Sequence, residues 1–166
     1  MQNPSTDFLA LLRTLLAHQI DFIIVGGVAA VLQGAPIATF DLDLVHSLKA
    51  DNIDRLLSAL QELDAYYRGR GEQRIRPTSM HLASPGHQLL MTRFGALDLL
   101  GAIGEALSYN DLLPRAIEME AEGLRFRVLD LERIIEVKEQ LGQEKDLAVL
   151  PLLRRTLREK QHIEPA

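Results

Sequence analysis

Asp41 and Asp43 lie one residue apart in the run Phe40-Asp41-Leu42-Asp43-Leu44-Val45. Polar and apolar residues alternate strictly here, which predicts a strand with both carboxylates on one face and Leu42 and Leu44 on the other. Two carboxylates side by side on a half-buried sheet repel each other and lose hydration, and a cation offsets both costs. Mg²⁺ (or Mn²⁺) suits that role, because hard divalent ions take oxygen ligands, commonly one or two carboxylates together with substrate phosphates. The same pattern without an ion is a solvated polar face.

The residues upstream favour phosphate chemistry. Phe22-Ile23-Ile24-Val25 reads as a short buried strand and runs into Gly26-Gly27, which would open a short helix. Side-chain-free amides at such a turn can approach a phosphate closely. Thr39, two residues before Asp41, adds a hydroxyl near the same mouth.

Around these residues the chain is expected to fold as α+β. Leu9, Leu12, Leu15 and Leu16 recur at helical spacing within Asp7 to His18, with Ser5, Thr6 or Asp7 as cap. A second short helix is expected over Val28 to Gln33, with a turn at Gly34-Ala35-Pro36, and an amphipathic helix over Asn52 to Leu63. The basic, glycine-containing stretch from Arg68 to Pro77 reads as a mobile loop. Gln88 to Thr92 and Ala96 to Leu100 read as two strands joined tightly near Arg93-Phe94-Gly95, and Leu124 to Leu129 as another strand. Helical periodicity then fills Leu131 to Leu141 and Lys145 to Lys160, where Pro151 should kink the second helix or bound it. The expected organisation is a core over 1–129 and a helical segment over 130–166 packed on it.

The 166 residues, 47% apolar and 25% charged, are the balance of a globular protein that needs no disulfide or structural metal to fold. Cysteine is absent, which suits a reducing cytoplasm and excludes a thiolate nucleophile. The polar N-terminus, Met1 to Asp7, lacks the pattern of a signal peptide, and no apolar run has the ~20 residues of a membrane span. A net charge of −5 argues against non-specific coating of nucleic acid, although Arg68 to Arg76 and Arg154 to Lys160 are local basic stretches. The five histidines have no ligand spacing, and neither a phosphate-binding P-loop nor a serine nucleophile elbow is present.

The arrangement Val25-Gly26-Gly27, then thirteen residues, then Asp41-Leu42-Asp43-Leu44 resembles the signature of the DNA polymerase beta-like nucleotidyltransferases. The longer pattern Gly26-Gly27-Val28-Ala29-Ala30 through Thr39-Phe40-Asp41-Leu42-Asp43-Leu44 is similar to the abortive-infection-type nucleotidyltransferase toxins and their uncharacterised relatives. The resemblance implies a small mixed sheet flanked by helices. It also implies magnesium-dependent transfer of an NMP from an NTP to a hydroxyl on tRNA, a protein or a small molecule, with an antitoxin as a candidate partner.

It further implies a third carboxylate on a later strand, completing a two-metal site. Asp98, alone in the apolar run Ala96-Leu97-Asp98-Leu99-Leu100, is the candidate, a solvated or helix-capping aspartate being the other reading. By the same resemblance, Gly26, Gly27 and Thr39 would position phosphates. Lys145, in the pair Lys145-Asp146, would neutralise charge as a catalytic group, with Lys138 assisting nucleotide binding. Two positions depart from the pattern: Ile37 and Gln143 stand where the branch tends to carry arginine. A catalytically inactive binding module or complex subunit with the same fold is therefore the alternative expectation.

Overall fold

The leucine stripe of the first segment forms a helix over Phe8–Ala17 (α1), and the Asp7 side chain caps it by accepting the amide of Ala10 at 3.0 Å. In this computed structural model residues 5–163 are described; residues 1–4 of the polar N-terminus and the last three of the 130–166 segment lie outside them. The buried strand Phe22–Val25 (β1) leads straight into a helix over Gly26–Leu32 (α2), which starts two residues earlier than its apolar pattern suggests. Asp41–His46 (β2) follows, then Ala50–Glu62 (α3), whose inward face carries Ile53, Leu56 and Leu60.

The middle of the chain supplies the far half of the sheet. Tyr66–Tyr67 (β3) is a two-residue edge strand, and Ser79–Leu82 (α4) is a single helical turn. His87–Thr92 (β4) and Gly95–Leu100 (β5) form the expected tight hairpin. Ala102–Ile103 (β6) and Leu107–Ser108 (β7) make a small separate ribbon, followed by Tyr109–Leu112 (α5) and one 3₁₀ turn. Ala116–Ala121 (β8) pairs antiparallel with Leu124–Leu129 (β9), and Leu131–Leu141 (α6) and Glu144–Ile163 (α7) complete the chain.

Seven strands form one mixed sheet in the order β3-β4-β5-β2-β1-β9-β8. At its centre β2 pairs antiparallel with β1 and parallel with β5, while β1 pairs parallel with β9. Ile23, Ile24, Leu42, Leu44, Leu97 and Leu99 are fully buried and share one apolar cluster with Leu131, Ile134, Leu150 and Leu153 from the last two helices. Gln33 ties those helices to the centre: its amide donates to the carbonyls of Ala29 and Leu129, and its oxygen accepts from the Leu131 amide and the Lys160 ammonium.

Two sequence expectations need correction. Of the two readings of Pro151, the boundary is excluded: α7 runs as one helix from Glu144 to Ile163 with Pro151 inside it. A proline costs one intrahelical hydrogen bond, and Leu150 and Leu153, buried on either side of it, hold the helix against the core. The stretch from Arg68 onward is also not a free loop. The Tyr67 amide bonds the Ile75 carbonyl, Arg74 and Arg76 pair with Asp64, and the Arg74 guanidinium lies 4.7 Å from the centre of the Tyr66 ring. These contacts engage two arginines of the basic stretch, Arg74 and Arg76.

Among the described residues, no helix is long and apolar enough to cross a membrane.

Candidate active site

Strand register determines where the carboxylates meet. Along the parallel β2–β5 pair, Asp41 lies opposite Ala96 and Asp43 opposite Asp98. Side chains at i and i+2, and at in-register positions of neighbouring strands, share a face. Asp41, Asp43 and Asp98 therefore converge, each offering an oxygen, with those oxygens all within 4.8 Å of one another. Leu42 and Leu44 face the opposite way and are fully buried, so a one-residue slip would carry leucines to the site and aspartates into the core.

The cluster is poor in hydration. Asp98 is buried and Asp43 half-buried, and one oxygen of each, Oδ1 in both cases, accepts no hydrogen bond. Burial, then the facing charges of Asp98 and Asp41, push Asp43 up to about 7 from an ordinary 3.8, against the opposing pull of Arg68. An all-oxygen donor set with orphaned, charge-crowded oxygens fits a hard divalent cation, so this cluster could bind a metal.

The glycine pair borders the same cluster. Gly26 has φ +67°, and a β-carbon there would stand 2.2 Å from Asp43 Oδ2. A β-carbon on Gly27 would stand 2.6 Å from Thr39 Oγ1. Each glycine thus leaves room for one polar group of the site, and no side chain caps the start of α2. Thr39 is half-buried and its hydroxyl donates to the Asp41 carbonyl at 3.4 Å.

Arg68 belongs to the site and was not singled out in the sequence. Its amide extends the edge ladder by donating to the Leu89 carbonyl at 3.0 Å, and its side chain crosses β4. Nη1 donates to the Leu90 carbonyl at 2.6 Å and lies 2.7 Å from Asp98 Oδ1. The carboxylate contact is an ion pair that lacks hydrogen-bond geometry, so Asp98 Oδ1 is charge-compensated and still accepts no hydrogen bond.

Beside the carboxylates, Gly26, Asp43, Val137, Lys138, Lys145 and Asp146 are among the residues lining a cavity of about 420 Å³ between the sheet and the last two helices. Lys145 is exposed there. Lys138 donates to Asp146 Oδ1 at 3.1 Å, and Asp146 is buried with its Oδ2 unpartnered. Ile37 lines an adjoining hollow and Gln143 the cavity itself, both without charge. His87, on β4, also lines the cavity and contacts the Ala102 carbonyl at 3.0 Å, whereas His81 serves the capping box of α4. The structure thus gathers Asp41, Asp43, Asp98, Gly26, Gly27 and Thr39 at one place. Lys138 and Lys145 stand on the wall of the cavity next to it.

No family model matches the chain, and no curated protein matches it. Solved structures do. A proposed nucleotidyltransferase from Thermotoga maritima (TM1012) is 17% identical, with a TM-score of 0.57 over 92% of this chain and 94% of its own. The lincosamide antibiotic adenylyltransferase LnuA, solved with lincomycin bound, is 14% identical, with a TM-score of 0.60 over 92% of this chain and 98% of its own. With that sheet order and those neighbours, the chain has the fold of the nucleotidyltransferases.

Proposed function

We propose that the protein is a magnesium-dependent nucleotidyltransferase that moves an NMP from an NTP to a hydroxyl acceptor. The observation that carries this reading is the convergence of Asp41, Asp43 and Asp98 beside the Gly26-Gly27 turn within this fold. Asp41 and Asp43, with Asp98 beside them, would hold Mg²⁺ or Mn²⁺. When bound, the ion neutralises triphosphate charge and lowers the pKa of the acceptor hydroxyl.

The chain's own groups have the following roles in this reading. Gly26 and Gly27 let the triphosphate approach the backbone, and Thr39 steadies it with a hydroxyl. Lys145 and Lys138 draw the phosphates toward the cavity wall as point charges. The acceptor oxygen bonds to the α-phosphorus while the bond from that phosphorus to the β-phosphate bridging oxygen breaks, and pyrophosphate leaves with the electron pair. The acceptor's proton passes to Asp98.

The acceptor is proposed only by class: tRNA, a protein hydroxyl, or a small molecule of the kind LnuA's name indicates for that protein. If the chain acts as the toxin of a pair, its expression arrests growth in a manner that depends on Asp41 and Asp43. Titration calorimetry with each NTP, with and without Mg²⁺, tests the reading directly. Mg²⁺-dependent binding of one NTP, lost in Asp41→Asn and Asp43→Asn variants that still fold, is the expected result. Wild-type transfer by either variant would sink it.

A second reading, an inert binding module, is favoured by the uncharged Ile37 and Gln143 on the cavity walls. It requires a folded wild type that binds no NTP at any Mg²⁺ concentration.

A further inference from the structure

Arg68 brings a positive charge to the Asp98 side of the cluster. It is anchored to two carbonyls of β4, through its amide to Leu89 and through Nη1 to Leu90, before it reaches Asp98 on β5. The contacting oxygen of Asp98 is buried. The side chain of Arg68 is about three-quarters buried, so solvent screens the pair weakly. A guanidinium stays protonated at any working pH, so the positive charge beside Asp98 is permanent.

The charges also balance. Once all three carboxylates are ionised, the guanidinium leaves two negative charges, which a single divalent ion neutralises. Arg68 is the first residue of the turn that carries Gly69, just past the two-residue β3, and its amide still bonds the Leu89 carbonyl of β4.

We propose that Arg68 is a resident cation of the centre. Before substrate arrives the cluster takes one divalent ion, on Asp41 and Asp43, while Arg68 holds Asp98 and supplies the charge that a second ion would bring. The inference rests on the metal-dependent reading above. It explains how a centre flanked by the neutral Ile37 and Gln143 still carries a fixed positive group, which enters across β4 rather than from the α6–α7 side.

The test counts ions rather than turnover. Mn²⁺ is titrated into the full chain without nucleotide, and bound ion is measured by electron paramagnetic resonance and calorimetry. Wild type is expected to bind one Mn²⁺. Arg68→Gln, which is shorter but stays polar and loses the charge, is expected to bind two, and Arg68→Lys, which keeps the charge, one. A double variant, Arg68→Gln with Asp98→Asn, removes the partly buried pair together and is expected to keep the single ion, so the question stays answerable if Arg68→Gln alone unfolds.

Two ions on wild type, one on a folded Arg68→Gln, or none on the double variant would each overturn the role given to Arg68 and leave the metal centre standing. Binding by Arg68→Gln with none by wild type would also overturn it, since Arg68 would then exclude the ion rather than complement it. No Mn²⁺ on wild type or any variant would overturn the metal centre itself, and with it the proposed function.

Discussion

Gly26 and Asp43 meet across the β1–β2 ladder so closely that the carboxylate uses the space a side chain at position 26 would fill. Gly26→Ala therefore forces two changes at once. The left-handed backbone costs about 1–2 kcal/mol for a residue with a β-carbon, and Asp43 must swing away from Asp41 and Asp98. The expected outcome is a folded protein with modestly lowered stability that has lost Mn²⁺ binding and transfer. Unfolding by urea alongside Mn²⁺ titration checks it; normal ion binding in a folded Gly26→Ala would disprove the coupling.

The raised Asp43 gives the metal-free protein a pH signature. In the unfolded chain the carboxyl ionises near 3.8, whereas in the native cluster it holds its proton to about 7. The native state then binds more protons between those values, so Asp43's contribution is complete below pH 4 and is lost as pH rises through 7. Metal-free wild type should lose thermal stability relative to Asp43→Asn as pH rises from 4 to 7, and millimolar Mg²⁺ should restore it most strongly at and above pH 7. His46, which burial holds below its ordinary value, works in the opposite direction, losing its contribution as pH falls below 6.5. It is common to both proteins, and the comparison cancels it. A difference that does not change with pH would remove the support for a crowded, desolvated cluster.

Lys138 and Asp146 separate a structural from a binding role. Removing the lysine leaves a buried carboxylate without its cation, and such breaks cost roughly 3–5 kcal/mol. Lys138→Met should therefore destabilise strongly, and adding Asp146→Asn should recover most of the loss. If Lys138 also meets the triphosphate, NTP affinity stays weakened in the recovered double variant. Full recovery of affinity would confine Lys138 to holding α6 against α7.

Gln33 is the joint between the strand end of β9, the start of α6, and α7. Gln33→Met keeps the length but strands the Leu131 amide and the Leu129 carbonyl, and buried groups left without partners cost about 1–3 kcal/mol each. A clear drop in the urea midpoint with an unchanged m-value is expected. A neutral result would mean that water replaces both bonds.

The carboxylate pair was legible because period-two alternation states directly which residues share a face, and Asp98 because the resemblance implies a third carboxylate on a later strand and a lone charge stands in Ala96 to Leu100. The β1-to-α2 turn was visible in its glycines, although not that the helix begins at Gly26 itself. Arg68 was hidden for a physical reason. Its role depends on Tyr66–Tyr67 pairing with β4 next to β5, and two-residue edge pairing leaves no periodicity to read. β8 was missed although Ala116 to Ala121 alternates apolar with acidic residues, because an edge strand open to water on one side carries a weak apolar signal. Pro151 does not bound α7, because local propensity yields to burial of the flanking leucines.

The shortness of β3 has a dynamic meaning. Edge strands with few ladder bonds are the first parts of a sheet to open, at a small fraction of the global unfolding cost. Here that edge also delivers the guanidinium to Asp98, so the most easily frayed corner of the sheet sets the charge of its centre. Amides around Tyr67 and Arg68 should exchange with solvent far sooner than those of β2. Each such opening would briefly uncover a buried carboxylate while the rest of the sheet stays closed.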